Sequence, residues 1–521
     1  MLNFAALRTP EQDGQTLIEP EPARLAEAVA ANRERIGDYA FSILDETVST
    51  VRQATRVALG LSAGPVIATG HQPELIHPGV WAKHIVTSRL AAALGGTALN
   101  LVVDNDSPKT QGFIVPGVHD DVVRAERIEI PNLSPGYAYE HRTRLVGAQV
   151  DALRARVKGV MGDAFAATHL DLYFKAWAGQ TADCDLVDQT IAARQAIERY
   201  YRVDLLERRV SSCWPHPLAA HIMLDASRFA ARYNEALSHY RRAYRVRGKN
   251  RPIPDLVARD GAVELPFWLY GPDEPRRRVF VRASGGHIEL MADTEPVGRL
   301  DAAGLAKTVT AAETLASLTP RVLRPRALLL TLWTRLFVAD LFVHGIGGAK
   351  YDRITDALIT GYFGVEPPVM ACVSATLRLP LTRARTTAAD LRVARYRRRD
   401  LNYNPQRYLR RTPEVVTLTD RRAAAIARSS QLRADEPNDH RRRKETYDEI
   451  HALNASMVAI DPTLASSSAR AVEEVEAALA ADGVAGSRDY FFGLFPAASL
   501  AGLCDALPSK DAFLVEARKK P

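Results

Sequence analysis

One stretch constrains the fold more than any other, because two short apolar runs flank a helical pattern between glycines. Residues 65–70 read PVIATG, residues 80–95 read VWAKHIVTSRLAAALG with helical periodicity, and residues 98–106 read ALNLVVDND. Strand, helix and strand at this spacing form a parallel βαβ unit, and strands this apolar are buried on both faces. The stretch therefore predicts a parallel sheet covered by helices.

The rest of the chain extends this core. Residues 145–245 have helical periodicity, whereas AVELPFWLYG and RRRVFVRASGGHIEL predict an added sheet. Past Pro380 two Arg-rich, glycine-free helical stretches flank ADEPND, which predicts an antiparallel helix pair. We predict an α/β protein with a helical lead-in (1–60), a Rossmann-like core with helical and β insertions (61–380), an Arg-rich, coiled-coil-like helical hairpin (381–485) and a C-terminal segment packing on the core (486–521).

Composition narrows the class of protein. The net charge of +7 comes from 68 basic and 61 acidic residues, so an anionic small molecule fits as well as nucleic acid. The four cysteines lie far apart, which argues against a disulfide framework and a Cys-pair zinc site. We find no secretory signal, and Arg335 and Asp340 interrupt the longest apolar stretch, which indicates a buried core helix. We expect a cytoplasmic protein without a membrane partner.

The turn after the first strand is the first candidate site. A strand-to-helix turn offers free N–H groups and the positive helix end to phosphate or carboxylate. Histidines there can serve as acid or base, and glycines permit a tight path. The candidates are Gly70, His71, Gln72, His77, Gly79 and Lys83. The alternative is that the histidines only bond the loop backbone.

The second strand ends in an acidic cluster. Asp104, Asn105, Asp106 and Lys109 would face the first turn across the same sheet edge, where carboxylates can orient a substrate, act as a base or hold Mg²⁺. An ordinary solvated turn is the alternative, since Asp and Asn favour turns.

A glycine-rich turn, HGIGGAKYD, is the third candidate and precedes a predicted helix. It lacks both standard phosphate-loop spacings, yet glycines allow close backbone approach to a ligand. The alternative is a turn between packed helices. The candidates for ligand binding are His344, Gly347, Gly348, Lys350, Tyr351 and Asp352. No H-E-x-x-H or G-x-S-x-G motif occurs, so we predict neither a metal site nor a serine-hydrolase triad.

The order of these motifs resembles that of bacillithiol synthase, the cysteine-adding enzyme family. GHQPEL is similar to that family's first turn through Gly70, Gln72 and Leu75. VVDNDSPK is similar to its acidic cluster through Asp104 and Asp106, and GIGGAKYD to its glycine turn. The resemblance implies a core like that of HIGH-type nucleotidylyl transferases and a helical hairpin used for dimer contacts. The first turn also resembles that of WbqC-like proteins.

Two functions follow as expectations. The first is an enzyme that condenses a small nucleophile, such as cysteine, with a sugar-linked or activated small molecule. His71 or His77 would then be acid or base, and Asp104 and Asp106 would orient the substrate. The cofactor stays open, with ATP or ADP and Mg²⁺ as candidates, and the hairpin would form a homodimer. The second is an RNA- or tRNA-interacting protein that uses the Arg-rich hairpin. We consider nucleic acid the weaker expectation, because acidic residues interleave the hairpin and no aromatic stacking ladder is evident.

Overall fold

The chain is a mixed α/β protein. The computed structural model describes residues 7–119, 122–246 and 253–514. Two compact units result: a core unit of residues up to 115, 126–379 and from 488 onward, and a helical unit of residues 116–125 and 380–487. The first six residues of the predicted lead-in and residues 515–521 of the predicted C-terminal segment lie outside the described residues.

Sixteen strands occur in the described residues. They are β1 (Thr16–Glu19), β2 (Ser42–Ile43), β3 (Glu46–Thr47), β4 (Val66–His71), β5 (Thr97–Val102), β6 (Gly112–His119), β7 (Val122–Glu129), β8 (Leu206–Arg209), β9 (Ala258–Arg259), β10 (Ala262–Tyr270), β11 (Arg277–Ser284), β12 (His287–Ala292), β13 (Glu295–Asp301), β14 (Val322–Pro325), β15 (Leu341–His344) and β16 (Met370–Ala375).

Eighteen α-helices accompany them in the described part of the chain. They are α1 (Pro22–Gly37), α2 (Val48–Ala58), α3 (Pro78–Ala93), α4 (Gly147–Met161), α5 (Leu170–Ala178), α6 (Leu186–Tyr200), α7 (Val210–Cys213), α8 (Pro217–Leu224), α9 (Ala226–Ala243), α10 (Ala302–Leu305), α11 (Thr308–Ala316), α12 (Ala327–Trp333), α13 (Ile346–Leu358), α14 (Ala388–Tyr403), α15 (Pro413–Asp435), α16 (His440–Ile460), α17 (Pro462–Gly486) and α18 (Ala497–Ala506).

A six-stranded sheet organises the core unit. Its order is β1–β16–β15–β4–β5–β8, and every neighbouring pair except β1–β16 is parallel. Residues 66–69 of β4 are all buried, as expected for a parallel strand with both faces covered. Helix α3 connects β4 to β5, so the predicted βαβ unit is confirmed. Trp81 of α3 stacks on Phe492 with ring centroids 4.9 Å apart, which packs the C-terminal segment on this helix.

The lead-in is not only helical. Strand β1 pairs antiparallel with β16, so residues 16–19 supply an edge strand of the main sheet. Arg52 of α2 donates to Asp340 Oδ1 at 2.8 Å, and Asp340 Oδ2 accepts from Val66 N at 2.7 Å. The first sixty residues are therefore tied to the starts of two central strands.

A second sheet confirms the predicted sheet extension. Its order is β13–β12–β11–β10–β14, and all of these pairs are antiparallel. Strand β14 leads into α12 at Pro325. Asn105 Nδ2, at the carboxyl edge of the parallel sheet, donates to Pro325 O at 2.8 Å. This hydrogen bond joins the second sheet to that edge.

The longest apolar stretch, residues 326–348, is only partly the buried core helix that we predicted, because β15 (Leu341–His344) follows Asp340 within it. Helix α12 continues as a π-helical turn over Thr334–Val338, and all five residues of that turn are buried. Among the described residues, no helix has both the length and the apolar character needed to span a bilayer.

The helical unit contains four long helices, α14 to α17, rather than the two that we predicted. Glu436–Asp439 separates α15 from α16, so ADEPND is a turn between helices as expected. Asn404-Pro405 and Asp461-Pro462 end α14 and α16, because a residue before proline is disfavoured in the helical region. These two breaks divide stretches whose periodicity looked continuous.

Candidate functional site

A cavity of about 480 Å³ opens at the carboxyl ends of β4, β5 and β15. It is a candidate site because open α/β sheets bind ligands at this edge. Its walls include residues of all three predicted motifs together with residues of the antiparallel sheet. The predicted residues that line it are Gly70, His71, Gln72, Asn105, Asp106, His344 and Gly348.

His71 and Gln72 form the part of the first turn that reaches the cavity. His71 Nδ1 donates to Gln72 O at 3.1 Å, and Gln72 Nε2 donates to Asp106 Oδ2 at 2.8 Å. Burial, reinforced by the charge of Lys83, lowers the pKa of His71 to about 3. His71 is therefore neutral at pH 7, and it suits hydrogen bonding to a ligand better than the acid–base role that we expected.

Lys83 lies in the middle of α3 and points toward the first turn. Its Nζ donates to Gly70 O at 3.1 Å, and burial lowers its pKa to about 8. Lys83 is not among the residues that line the cavity, so its hydrogen bond stabilises the turn without reaching the cavity.

Lys83 makes stability depend on alkaline pH. The pKa of Lys83 falls from 10.5 to about 8 on folding, so between pH 8 and pH 10.5 the unfolded chain binds more protons than the folded chain. The contribution of Lys83 to the free energy of unfolding therefore increases as pH rises over this range. We expect this pH-dependent increase in the free energy of unfolding to be absent from Lys83→Met when urea unfolding is measured from pH 7 to 10. The exposed Lys109→Met variant is the matched control and should keep the wild-type slope. Identical slopes in all three proteins would contradict the shift.

His77 and Gly79 do not line the cavity. His77 is the N-cap of α3, and its Nδ1 accepts from Gly79 N at 3.1 Å. A Cβ at Gly79 would lie 2.8 Å from Ala375 O, so close packing requires glycine there. Burial lowers the pKa of His77 to about 4. Both residues fix the helix start, which is the alternative considered for the loop histidines.

The acidic cluster divides between two roles. Asp104 is fully buried and does not line the cavity, because its carboxylate accepts from Arg209 Nε at 2.8 Å and Ser211 N at 2.9 Å. Asp104 therefore holds the chain after β8, and it does not reach a substrate in this cavity. Lys109 is exposed and does not line the cavity either.

Asp106 does line the cavity and is ionised. Arg276 Nη1 donates to its Oδ1 at 2.6 Å. Burial opposes ionisation, but the charge of Arg276 and hydrogen bonds from Gln72 and Ser107 outweigh it and lower the pKa of Asp106. A chain of contacts thus runs from Gln72 through Asp106 to Arg276 and joins the two sheets.

The third motif places His344 at the cavity wall and the buried Asp352, which does not line the cavity, directly against it. His344 Nε2 donates to Asp352 Oδ2 at 3.0 Å, and Arg335 Nη1 donates to the same oxygen at 2.7 Å. Burial opposes ionisation of Asp352, but Arg335 and His344 hold its pKa at about 2. A carboxylate on Nε2 fixes the tautomer of the imidazole and leaves Nδ1 as its basic nitrogen.

The glycines of this motif lie inside the first turn of α13, with Gly345 as N-cap, rather than before the helix. A Cβ at Gly348 would lie 2.7 Å from His344 Nδ1, so glycine makes room for the imidazole. Gly347, Lys350 and Tyr351 are exposed and do not line the cavity.

Three residues that the sequence did not single out complete the wall. The guanidinium carbons of Arg276 and Arg326 lie 5.1 and 4.3 Å from the centroid of the Trp268 ring. Arg326 also donates to Glu264 Oε1 at 3.0 Å. RRR at 276–278 was visible in the sequence, but nothing local connects it to a turn that lies two hundred residues earlier.

The wall combines cationic, aromatic and hydrogen-bonding groups with the imidazole of His344, which Asp352 orients. Such a cavity can bind an anionic, partly apolar small molecule and move a proton at His344 Nδ1. Within the described residues, no group of three or more His, Cys, Asp or Glu side chains is arranged to hold a metal ion.

No protein-family model and no curated protein matches this chain.

Proposed function

We propose that the chain is a cytoplasmic enzyme, similar to bacillithiol synthase, that joins a small nucleophile such as an amino acid to a sugar-linked or activated anionic molecule. The observation that carries the proposal is that residues of all three motifs line one cavity. The motifs also follow one another along the chain in the order that the resemblance to that family implies. The strand order also supports it. Counted from β4 as first strand, the parallel strands follow the order 3-2-1-4-5, which is typical of a Rossmann-like sheet.

The place of the cavity agrees with that sheet. Successive connections run to opposite sides of β4, first toward β5 and β8 and later toward β15 and β16. The crevice at this reversal is where doubly wound sheets bind ligands, and Gly70 of β4 and His344 of β15 both line the cavity there.

In this proposal His344 is the general base. Asp352 holds its imidazole in one tautomer, and Arg335 holds Asp352 ionised. The base would accept the proton of the attacking amine or thiol, a role that contributes about 10²- to 10⁴-fold to a rate. Arg276 and Arg326 would bind the anionic group of the other substrate, and Trp268 would cover its apolar part.

The cavity suits an anion more than a protein-bound Mg²⁺. Asp106 is the only carboxylate among the described residues that line it, and its two oxygens already accept from Arg276 and Gln72. If ATP or ADP is the activating substrate, its phosphates would meet the arginines, and Mg²⁺ would be bound mainly by those phosphates.

A thermal-shift panel tests the proposal. ATP, ADP, CTP, a nucleotide-sugar and cysteine, with Mg²⁺ where a nucleotide is present, are added to the wild type, to Arg276→Met and to His71→Ala. A ligand at about 100 times its Kd should stabilise the native state by about 2.7 kcal/mol. We expect at least one ligand to raise the Tm of the wild type and neither variant to respond.

Arg282→Met is the matched control, because Arg282 lies on the same sheet but pairs with Glu289 away from the cavity. It should respond like the wild type. If a ligand raises the Tm of Arg276→Met as much as it raises that of the wild type, the cavity is not its binding site. If no ligand raises the Tm of the wild type, the inference of a nucleotide substrate is wrong.

A further inference from the structure

A strongly basic surface lies on the helical unit. Residues 383–411 contain ten arginines against two carboxylates, Asp390 and Asp400, and all ten arginines are exposed. Arg395 pairs with Glu476 and Arg407 with Asp400. Among the described residues, Arg392, Arg397 and Arg398 form no ion pair within 4.0 Å. Most of this charge is therefore available to a partner.

Arginine and tyrosine alternate along one face of α14. Arg392, Tyr396, Arg399 and Tyr403 are spaced four, three and four residues apart, so they form one stripe on the helix. Tyr396 is 63% exposed and Tyr403 is 46% exposed. The Arg399 guanidinium carbon lies 5.6 Å from the centroid of the Tyr403 ring.

Helix α16 extends the stripe with two more rings. The His451 ring lies 5.8 Å from Tyr403 and 4.1 Å from Tyr447, centroid to centroid, and Tyr447 is 56% exposed. Packing of the two helices thus brings together rings that are about forty residues apart in sequence, a grouping that the expectation of no aromatic ladder did not consider. We call this surface of α14 and α16 the Arg–Tyr stripe.

We propose that the Arg–Tyr stripe binds single-stranded nucleic acid, with arginines on phosphates and tyrosines stacked on bases. Exposed rings interleaved with cations are the means by which proteins bind unpaired strands, since every base offers a face for stacking. The bases of a duplex are already stacked on one another. A second copy of this chain fits the stripe less well, because a two-fold contact would bring two arginine rows together.

Fluorescence anisotropy with the full-length chain tests this binding. The probes are labelled U20, dT20 and a 20-base-pair duplex, each titrated from about 50 to 300 mM salt. We expect both single strands, or one of them, to bind more tightly than the duplex. Log K should fall with log salt by about 0.7 per phosphate neutralised. A preference for U20 would identify RNA, and a preference for dT20 would identify DNA.

Variants separate stacking from charge. Tyr403→Ala should weaken binding about fivefold or more without changing the salt slope, whereas Tyr403→Phe should bind like the wild type. Arg392→Gln with Arg399→Gln should reduce the slope by about 1.4. Tyr200→Ala and Arg470→Gln are the controls, because Tyr200 is 65% exposed on the core unit and the Arg470 side chain is 75% exposed on α17.

Three outcomes would overturn the proposal. They are no binding of any probe at about 50 mM salt, equal binding of duplex and single strands with no effect of Tyr403→Ala, and a homodimer in sedimentation that Tyr403→Ala dissociates while no probe binds. The second would indicate attraction of polyanions by charge alone, and the third would make the stripe a self-association surface.

Discussion

Arg335→Met is expected to lower the free energy of unfolding by about 3–5 kcal/mol, the usual cost of removing one partner from a buried ion pair. Arg335 and Asp352 are each 2% exposed, and Arg335 also donates to Asp356 Oδ1 at 2.7 Å. Without the Arg335 guanidinium, the buried Asp352 carboxylate would lose its cationic partner and keep the hydrogen bond from His344. Urea unfolding of the two proteins measures the difference.

The same pair predicts how this loss varies with pH. The pKa of Asp352 is depressed from 3.8 to about 2, so its contribution to stability is complete above about pH 4 and is lost as pH falls toward 2. The difference between wild type and Arg335→Met should narrow over that interval. Arg353→Met, at a 39% exposed arginine that also pairs with Asp356, is the control and should cost less than about 1 kcal/mol. Equal losses in both variants would show that burial does not decide the effect.

Asp104→Ala and Asp106→Ala are expected to separate folding from ligand binding. Asp104→Ala should cost about 2–3 kcal/mol of stability, because Arg209 and Ser211 lose hydrogen bonds to a charged group. The estimate is below that for Arg335 since Arg209 also pairs with Asp185 at 2.7 Å. Its ligand-induced Tm shift should equal that of the wild type.

Asp106→Ala should behave in the opposite way. It frees Arg276 and Gln72 at the cavity wall, so the ligand-induced shift should change while the cost in stability stays smaller than that of Asp104→Ala. Unfolding curves with and without ligand measure both quantities. A lost ligand shift in a folded Asp104→Ala protein would restore the role that the sequence assigned to Asp104.

The sequence predicted those features whose determining residues lie close together along the chain. The β4–α3–β5 unit was predictable because apolar strands, glycine boundaries and helical period all lie within forty residues. The rule that ligands meet the carboxyl edge of a parallel sheet predicted His71 and Asp106 at that edge, and both residues line the cavity there. His77 and Asp104 stand beside them in the chain, yet capping of α3 and pairing with Arg209 turn both away from the cavity.

The missing parts of the site depended on distant contacts. Trp268, Arg276 and Arg326 reach the cavity through an antiparallel sheet whose position relative to β4 leaves no mark in local periodicity. Tyr403 and His451 meet only because α14 and α16 pack together. In each case the residue type was visible and the partner was not.

The contact of Asp106 with Arg276 has a thermodynamic consequence for any occupant of the cavity. An anion that binds Arg276 through Nη1 would compete with Asp106 for that donor, so occupancy of the cavity and the contact between the parallel and antiparallel sheets would be coupled equilibria. By reciprocity, the factor by which the bound anion weakens that contact equals the factor by which the contact weakens binding of the anion. Ligand affinity would then depend also on a residue that does not line the cavity, Ser107, whose backbone N–H donates to Asp106 Oδ1 at 2.9 Å and holds that carboxylate in place.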